Sequence, residues 1–273
     1  MTARLGIVGS PVAHSLSPVI QGAALRAAGI EATYERWETP LDALPARVSA
    51  LRDPDCLGAN VTIPHKQAVL SLLDDVAPLA AEIGAVNTIV NDSGRLAGHN
   101  TDGGGFVAAL EEAGFAPSGK RFLLVGAGGA ARGIAFALRH AGADIAISNR
   151  TPERAQALAD AVGARAVPFA ASPAPYDCVV NCTSAGMHGS GAETVLPVDP
   201  AASDPGALIV DIVYAPEETL LLRAARAAGR PVLGGLPMLI HQGALAFELW
   251  TGRPAPLDAM REAARAALSR NEP

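Results

Sequence analysis

Aromatic residues make up only 4% of the 273 residues, which leaves no supply of stacking platforms for single-stranded nucleic acid. Basic runs are missing as well. With a net charge of −6 the chain is a poor match for nucleic acid or an anionic membrane. Cys56, Cys178 and Cys182 are the only cysteines, too few and too irregular for a disulfide framework or a zinc site. Buried thiols and no metal are expected. No apolar run reaches the length of a membrane span, because Gly, Pro or a charge interrupts each one. The opening Met-Thr-Ala-Arg-Leu-Gly-Ile-Val enters an apolar run directly, without the pattern of a secretory leader, so a cytoplasmic protein is expected. Charged residues are 18% against 49% hydrophobic, a balance that excludes a disordered chain.

What is present is an alternation of short aliphatic runs with Ala/Leu-rich stretches of helical period. Strands are expected over 5–9, 33–37, 58–62, 85–90, 121–126, 144–148, 178–181 and 208–213. Helices are expected over 17–28, 41–51, 65–73, 104–113, 129–141, 152–161, 218–228, 238–250 and 257–269. Such alternation favours an α/β protein with parallel sheets. Gly103, Gly104 and Gly105 read as a hinge after Asp102, and Gly234-Gly235 as a second one. The expected organisation is a domain over 1–102, a second over 103–237, and C-terminal helices over 238–273 that cross back to the first.

Arg121-Phe-Leu-Leu-Val-Gly126-Ala127-Gly128-Gly129-Ala130-Ala131 is an apolar strand, a tight glycine turn and a helix start. Gly126, Gly128 and Ala131 fill the three small positions of a dinucleotide-binding turn: one turns the chain, one admits a pyrophosphate, one lets helix pack on strand. The next strand ends in Asn149-Arg150-Thr151, with Arg154 one turn on and no acid there. Two guanidiniums and an amide suit the 2′-phosphate of NADP better than the bare ribose of NAD.

Polar residues gather in four motifs of the first half. Gly9–Pro18 holds Ser15 and Ser17, and Ser17 is expected to cap the helix that follows. Asn60-Val-Thr62-Ile-Pro64-His65-Lys66 puts Lys66 in the first turn of an expected helix, where the dipole disfavours it. Gly84-Ala-Val-Asn87-Thr88 sets an amide inside an apolar strand, and Gly98-His99-Asn100-Thr101-Asp102 lies at the hinge. Hydroxyls and amides with one ammonium, one carboxylate and no arginine fit a polyhydroxylated small molecule. Lys66 with Asp102 could pass a proton to a reacting oxygen, although from spacing alone an ordinary salt bridge is the stronger reading. His65 and His99 read as supporting or surface groups rather than as bases.

Together these segments resemble the shikimate dehydrogenase family, from Gly9 to Trp250. The resemblance is carried by S-L-S-P (15–18), N-V-T-I-P-H-K (60–66), G-A-V-N-T (84–88), N-T-D-G (100–103), G-A-G-G-A-A-R (126–132) and N-R-T-P-E-R (149–154). It continues in N-C-T-S-A-G-M (181–187), D-I-V-Y (211–214) and G-L-P-M-L-I-H-Q-G-A (235–244). It implies an open α/β substrate domain joined to a Rossmann-type doubly wound domain. It implies reversible NADPH-dependent reduction of 3-dehydroshikimate to shikimate, in aromatic amino-acid biosynthesis. Lys66 would be catalytic with Asp102, while Ser15, Ser17, Thr62, Asn87, Asp102, Tyr214 and Gln242 would hold the substrate. Gly126, Ala127, Gly128, Gly129 and Ala130 would bind the pyrophosphate, and Asn149, Arg150, Thr151 and Arg154 the adenosine 2′-phosphate. Ile212 and Gly235 would line the nicotinamide end.

The run Ile20-Gln21-Gly22, and His99 in place of the family's usual Tyr or Asp, depart from the pattern and bear on substrate fit. Small molecules are the implied partners, with a homodimer as the one protein assembly to consider. Three other readings compete: a quinate/shikimate enzyme with relaxed substrate or NAD use, a non-catalytic sensor on this fold, and a methylene-folate dehydrogenase. Quinate-preferring relatives tend to carry Thr at the place of Ser17 and an acid near Arg150, and neither is present.

Overall fold

The computed structural model describes residues 2–169 and 171–270. Its strands are β1 Ala3–Gly9, β2 Ala32–Glu38, β3 Cys56–Val61, β4 Asp75–Val76, β5 Thr88–Asp92, β6 Arg95–His99, β7 Arg121–Val125, β8 Asp144–Ser148, β9 Arg165–Val167, β10 Cys178–Asn181, β11 Leu208–Asp211 and β12 Val232–Leu233. Its α-helices are α1 Ser17–Ala27, α2 Leu44–Ala50, α3 Pro78–Ile83, α4 Asp102–Glu112, α5 Gly129–His140, α6 Pro152–Val162, α7 Leu220–Ala227, α8 Leu236–Thr251 and α9 Leu257–Leu268. Two compact units result. Of the described residues, one holds 2–105 and 240–270 and the other those between 106 and 239.

The first unit is a mixed sheet in the order β2-β1-β3-β5-β6-β4. β1 runs parallel to β2 and β3, whereas β5 is antiparallel to both β3 and β6. The β5–β6 hairpin turns on Ser93 (φ 54°) and Gly94 (φ 92°), two successive positive-φ residues that match the twist of the flanking strands. One core cluster collects Val8, Val61 and Ile89 from the sheet with Val48 and Leu51 at α2. The C-terminal helices belong to this unit: Gly243 of α8 lies against Ile20 and Gln21 of α1 and Met260 of α9. Trp250 Nε1 donates to the Ile89 carbonyl at 2.9 Å.

The second unit is an all-parallel sheet in the order β12-β11-β10-β7-β8-β9. β10 and β11 are buried at every position, as expected where helices cover both faces of a sheet. From β7 the chain steps outward through α5 to β8 and α6 to β9, then returns to the other side of β7 for β10. That reversal opens a crevice at the C-terminal ends of β7 and β10, where open α/β sheets bind ligands.

Several local expectations change. The helix expected over 65–73 is a turn followed by a 3-10 segment, Ala68–Leu72. The Lys66 carbonyl accepts the Val86 N–H at 2.8 Å and is therefore unavailable to a helix, so the dipole argument about Lys66 does not apply. Ser17 does not cap α1. Leu16 is the N-cap and Pro18, lacking an N–H, fits the first turn; the Ser15 hydroxyl accepts the Ser17 N–H at 3.2 Å. Asn87 precedes β5 in a bend instead of lying within a strand. Gly103, Gly104 and Gly105 are helical residues of α4. Among the described residues no helix is long and apolar enough to cross a membrane, and no group of His, Cys, Asp or Glu could hold a metal ion.

Candidate active site

In the first unit the loops after β1, β3 and β6 and the bend before β5 meet. Lys66 Nζ donates to Asp102 Oδ2 at 2.5 Å, with only 13% and 7% of the two side chains exposed. Asp102 opens α4, a favoured place for a carboxylate, and its backbone N–H is held by Asn100 Oδ1 at 3.1 Å. Asn87 fixes the other oxygen: its Nδ2 donates to Asp102 Oδ1 at 2.8 Å and to Thr101 Oγ1 at 2.9 Å. The Asn87 Oδ1 accepts the Thr101 N–H at 2.8 Å and the Thr88 hydroxyl at 3.0 Å. With both ends of the amide committed, Asn87 has one orientation. Gln242 Oε1 on α8 reaches the same Asn87 Nδ2 at 3.4 Å.

A second chain of bonds ties this pair to the serine loop. Asn60 donates to Thr88 Oγ1 at 3.1 Å and accepts the Tyr34 hydroxyl at 2.7 Å. Burial pushes the Tyr34 hydroxyl above its usual range, partly offset by a hydrogen bond with Ser17. Thr62 lies across from the turn after β1, where a Cβ on Gly9 would run 2.3 Å from its methyl group. Ser15, Ser17, Thr62, Lys66, Asn87, Asp102 and Gln242 therefore all belong to this unit, while Tyr214 belongs to the other. His65 is buried, and its Nε2 must donate to the Thr39 carbonyl at 2.6 Å, which makes it a brace for the Lys66 turn. His99 is half-buried, its pKa lowered by burial, and its carbonyl accepts the Asn87 N–H at 3.0 Å.

In the second unit Gly126 has φ +118°, and a Cβ there would sit 3.1 Å from the Cys182 carbonyl across the crevice. Gly128 is the N-cap of α5 with no side-chain cap bond, and a Cβ on it would meet nothing within 4 Å. The first-turn amides at Gly129 and Ala130 are thus presented beside open space, as a pyrophosphate requires. Asn149, Arg150 and Thr151 follow the C-terminal end of β8, and Arg150 and Arg154 are exposed, with no ion pair among the described residues. Ile212 and Gly235 meet closely: a Cβ on Gly235 would lie 2.2 Å from the Ile212 carbonyl oxygen. These residues fit NADP, and the donor set offers the phosphates what they need.

Sequence reasoning assigns no role to the buried carboxylate beneath that end. Asp211 closes β11 opposite Asn181 of β10. It accepts Asn181 Nδ2 at 3.0 Å, the Val213 N–H at 3.0 Å and the Thr219 hydroxyl at 2.7 Å. Burial raises its pKa against those three bonds. Both loops at the strand ends hang on it, and the D-I-V-Y motif is its signal. Asp211→Ala should leave two buried donors, the Val213 N–H and the Thr219 hydroxyl, without an acceptor, while Asn181 keeps the Ala185 carbonyl at 3.2 Å; the cost should be about 3 kcal/mol, which chemical denaturation would read.

A phosphate-ready parallel sheet in one unit, and a buried lysine–carboxylate pair among hydroxyls and amides in the other, define a dinucleotide-dependent oxidoreductase acting on a CH–OH group. Family models extend this along the chain: the shikimate dehydrogenase substrate binding domain matches residues 7–89, shikimate / quinate 5-dehydrogenase residues 109–217, and the shikimate 5′-dehydrogenase C-terminal domain residues 235–265. The chain is 46% identical over 282 residues to the shikimate dehydrogenase (NADP(+)) of Moorella thermoacetica, covering 98% of this chain and 94% of that one. With the protein of the same name from Thermus thermophilus it shares 48% identity over 265 residues, covering 97% and 98%. A crystal structure of shikimate 5-dehydrogenase from Thermus thermophilus in complex with NADP(H) and shikimate superposes with a TM-score of 0.90 at 47% identity, covering 97% of this chain and 100% of that one. The chain belongs to the shikimate dehydrogenase family.

Proposed function

We propose that this protein catalyses the reversible NADPH-dependent reduction of 3-dehydroshikimate to shikimate, a step of aromatic amino-acid biosynthesis. The observation that carries the reading is the Lys66–Asp102 pair, buried and oriented by Asn87. Bound NADP supplies the hydride acceptor in one direction and the hydride donor in the other. Lys66 handles the proton: its ammonium gives one to the carbonyl oxygen during reduction, and its amine takes one from the hydroxyl during oxidation. The same group stabilises negative charge as it develops on that oxygen. Asp102 aims Lys66 and accepts from a neighbouring ring hydroxyl. Ser15, Ser17, Thr62, Asn87, Tyr214 and Gln242 hold the remaining hydroxyls and the carboxylate. Gly126 to Ala130 take the pyrophosphate, Ile212 and Gly235 border the nicotinamide, and Asn149, Arg150, Thr151 and Arg154 grip the 2′-phosphate. A cytoplasmic location is supported by three cysteines that are all buried, unpaired thiols. A homodimer is the assembly to test by light scattering.

Initial rates with shikimate and quinate against NADP⁺ and NAD⁺ test the reading. Shikimate with NADP⁺ should give the highest kcat/KM. Arg150→Asp should raise the NADP⁺ KM about ten- to a hundredfold, equivalent to roughly 1.5–3 kcal/mol for one lost charge-assisted contact. Equal kcat/KM for the two cofactors in the unmodified enzyme would refute the phosphate assignment.

A further inference from the structure

Gln21 is polar and buried where α1 meets the C-terminal helices. Only 1% of it is exposed, and it lies one turn after Ser17 on the same buried face of α1. Its Nε2 donates to the carbonyl of Gly243 in α8 at 2.8 Å. A carbonyl inside a helix accepts one N–H from its own ladder and has a second lone pair to offer. Glycine makes the approach possible. A Cβ on Gly243 would stand 3.3 Å from Gln21 Nε2 and 3.3 Å from the terminal methyl of Met260.

The other half of the amide makes no bond. Gln21 Oε1 is buried and has no hydrogen-bond partner among the described residues. An acceptor left buried and unpaired costs free energy that an apolar side chain of similar length would not lose. Packing alone therefore favours methionine or leucine at this position. What glutamine adds is direction, through one bond between fixed points of two helices.

The residue before Gly243 is Gln242, whose Oε1 stands 3.4 Å from Asn87 Nδ2. At Gln242 itself α8 is stopped by α4, since a Cβ on Gly105 would be 2.5 Å from the Gln242 backbone N. Neighbouring residues of a helix point about 100° apart, so a stop at 242 and a bond at 243 together set the rotation of α8. A turn of roughly 10° would swing a glutamine tip by about 1 Å. That is enough to break a contact already at 3.4 Å.

We propose that Gln21 is a positioning residue for substrate binding: its bond to Gly243 sets the rotation of α8 that points Gln242 at the ring. This rests on the reaction proposed above, with Gln242 among the groups that hold shikimate. The bond also ties α8 to the stretch of α1 that carries Ser17, so two substrate-holding groups keep a fixed separation. The run Ile20-Gln21-Gly22, which departs from the family pattern, thereby acts on substrate fit through a residue 222 positions away in sequence.

Two variants, Gln21→Met and Gln21→Leu, remove the donor and the unpaired acceptor together. Each is measured alone and in a Gln242→Ala background. Alone, each should raise the shikimate KM about three- to tenfold, the scale of one weakened polar contact, with the NADP⁺ KM unchanged. The unfolding midpoint should hold or rise, because a buried unpaired oxygen is gone. With Gln242 already removed, the same substitutions should change the shikimate KM by less than about twofold. An unchanged KM in the single variants overturns the proposal. So does a rise that persists in the Gln242→Ala background, or one matched by a fall in the unfolding midpoint, since either makes Gln21 an ordinary core residue. An unmodified enzyme that does not oxidise shikimate would instead overturn the reaction itself.

Discussion

Lys66→Ala is expected to lower kcat by roughly 10²–10⁴-fold, the usual span for losing a general acid–base group. Shikimate KM should move far less, because Ser15, Ser17, Asn87 and Gln242 still hold the ring. Asp102 would lose the ammonium bonded to Oδ2 and keep only Asn87 on Oδ1. Leaving a buried charge without its partner costs about 3–5 kcal/mol, so the unfolding midpoint should fall as well. Asp102→Asn added to Lys66→Ala should cost much less than the product of the two single effects, since the pair works as one unit. Near-normal kcat with a greatly raised KM would make Lys66 a binding group and return the proton transfer to Asp102.

Gly105→Ala should have the next largest effect. A Cβ at this position would lie 2.5 Å from the backbone N of Gln242 and 2.8 Å from its Cα, so α4 and α8 must part. The obstacle is backbone, which cannot rotate aside. Overpacking of this kind costs about 1–3 kcal/mol. Gln242 Oε1 already stands 3.4 Å from Asn87 Nδ2, and any separation breaks that link. Shikimate KM should rise about tenfold, as for one lost polar contact, with the NADP⁺ KM unchanged. Gly22→Ala in α1 is the control. A Cβ there meets only the far end of Arg26 at 3.4 Å, so the helix should gain about 0.5–1 kcal/mol. An unaltered shikimate KM in Gly105→Ala would mean that Gln242 does not touch the substrate.

The parallel sheet is the most legible part of the fold. β7, β8 and β10 stand out as aliphatic runs because both their faces are buried. Strands of two or three residues, β4, β9 and β12, are too short for any period to register. β6 escapes sequence reading for another reason. Arg95-Leu-Ala-Gly-His has one fully apolar inward position, Leu96, and the Ser93-Gly94 turn announcing it is the better signal. At the site, the motifs locate the reacting residues, and contact geometry adds what no motif holds. Tyr34, Arg36 and Glu38 look like an ordinary polar strand in sequence, since their targets lie in a loop some twenty residues earlier. Local propensity puts Lys66 on the wrong element because its carbonyl is claimed by Val86, a long-range partner that propensity cannot sense.

The lengths of the outer strands also bear on how the protein survives at high concentration. An unpaired strand edge is a template on which another chain can add its own strand. Each sheet has two such margins. Three of the four, β4, β9 and β12, are two or three residues long, too short to offer a stable ladder. β2 alone is seven residues long, and it carries Glu35, Arg36 and Glu38. An incoming strand would have to lie alongside both signs of charge and displace bonds that the serine loop needs. Strand residues that hold the serine loop in place thereby also guard the one margin, among the described residues, long enough to nucleate aggregation.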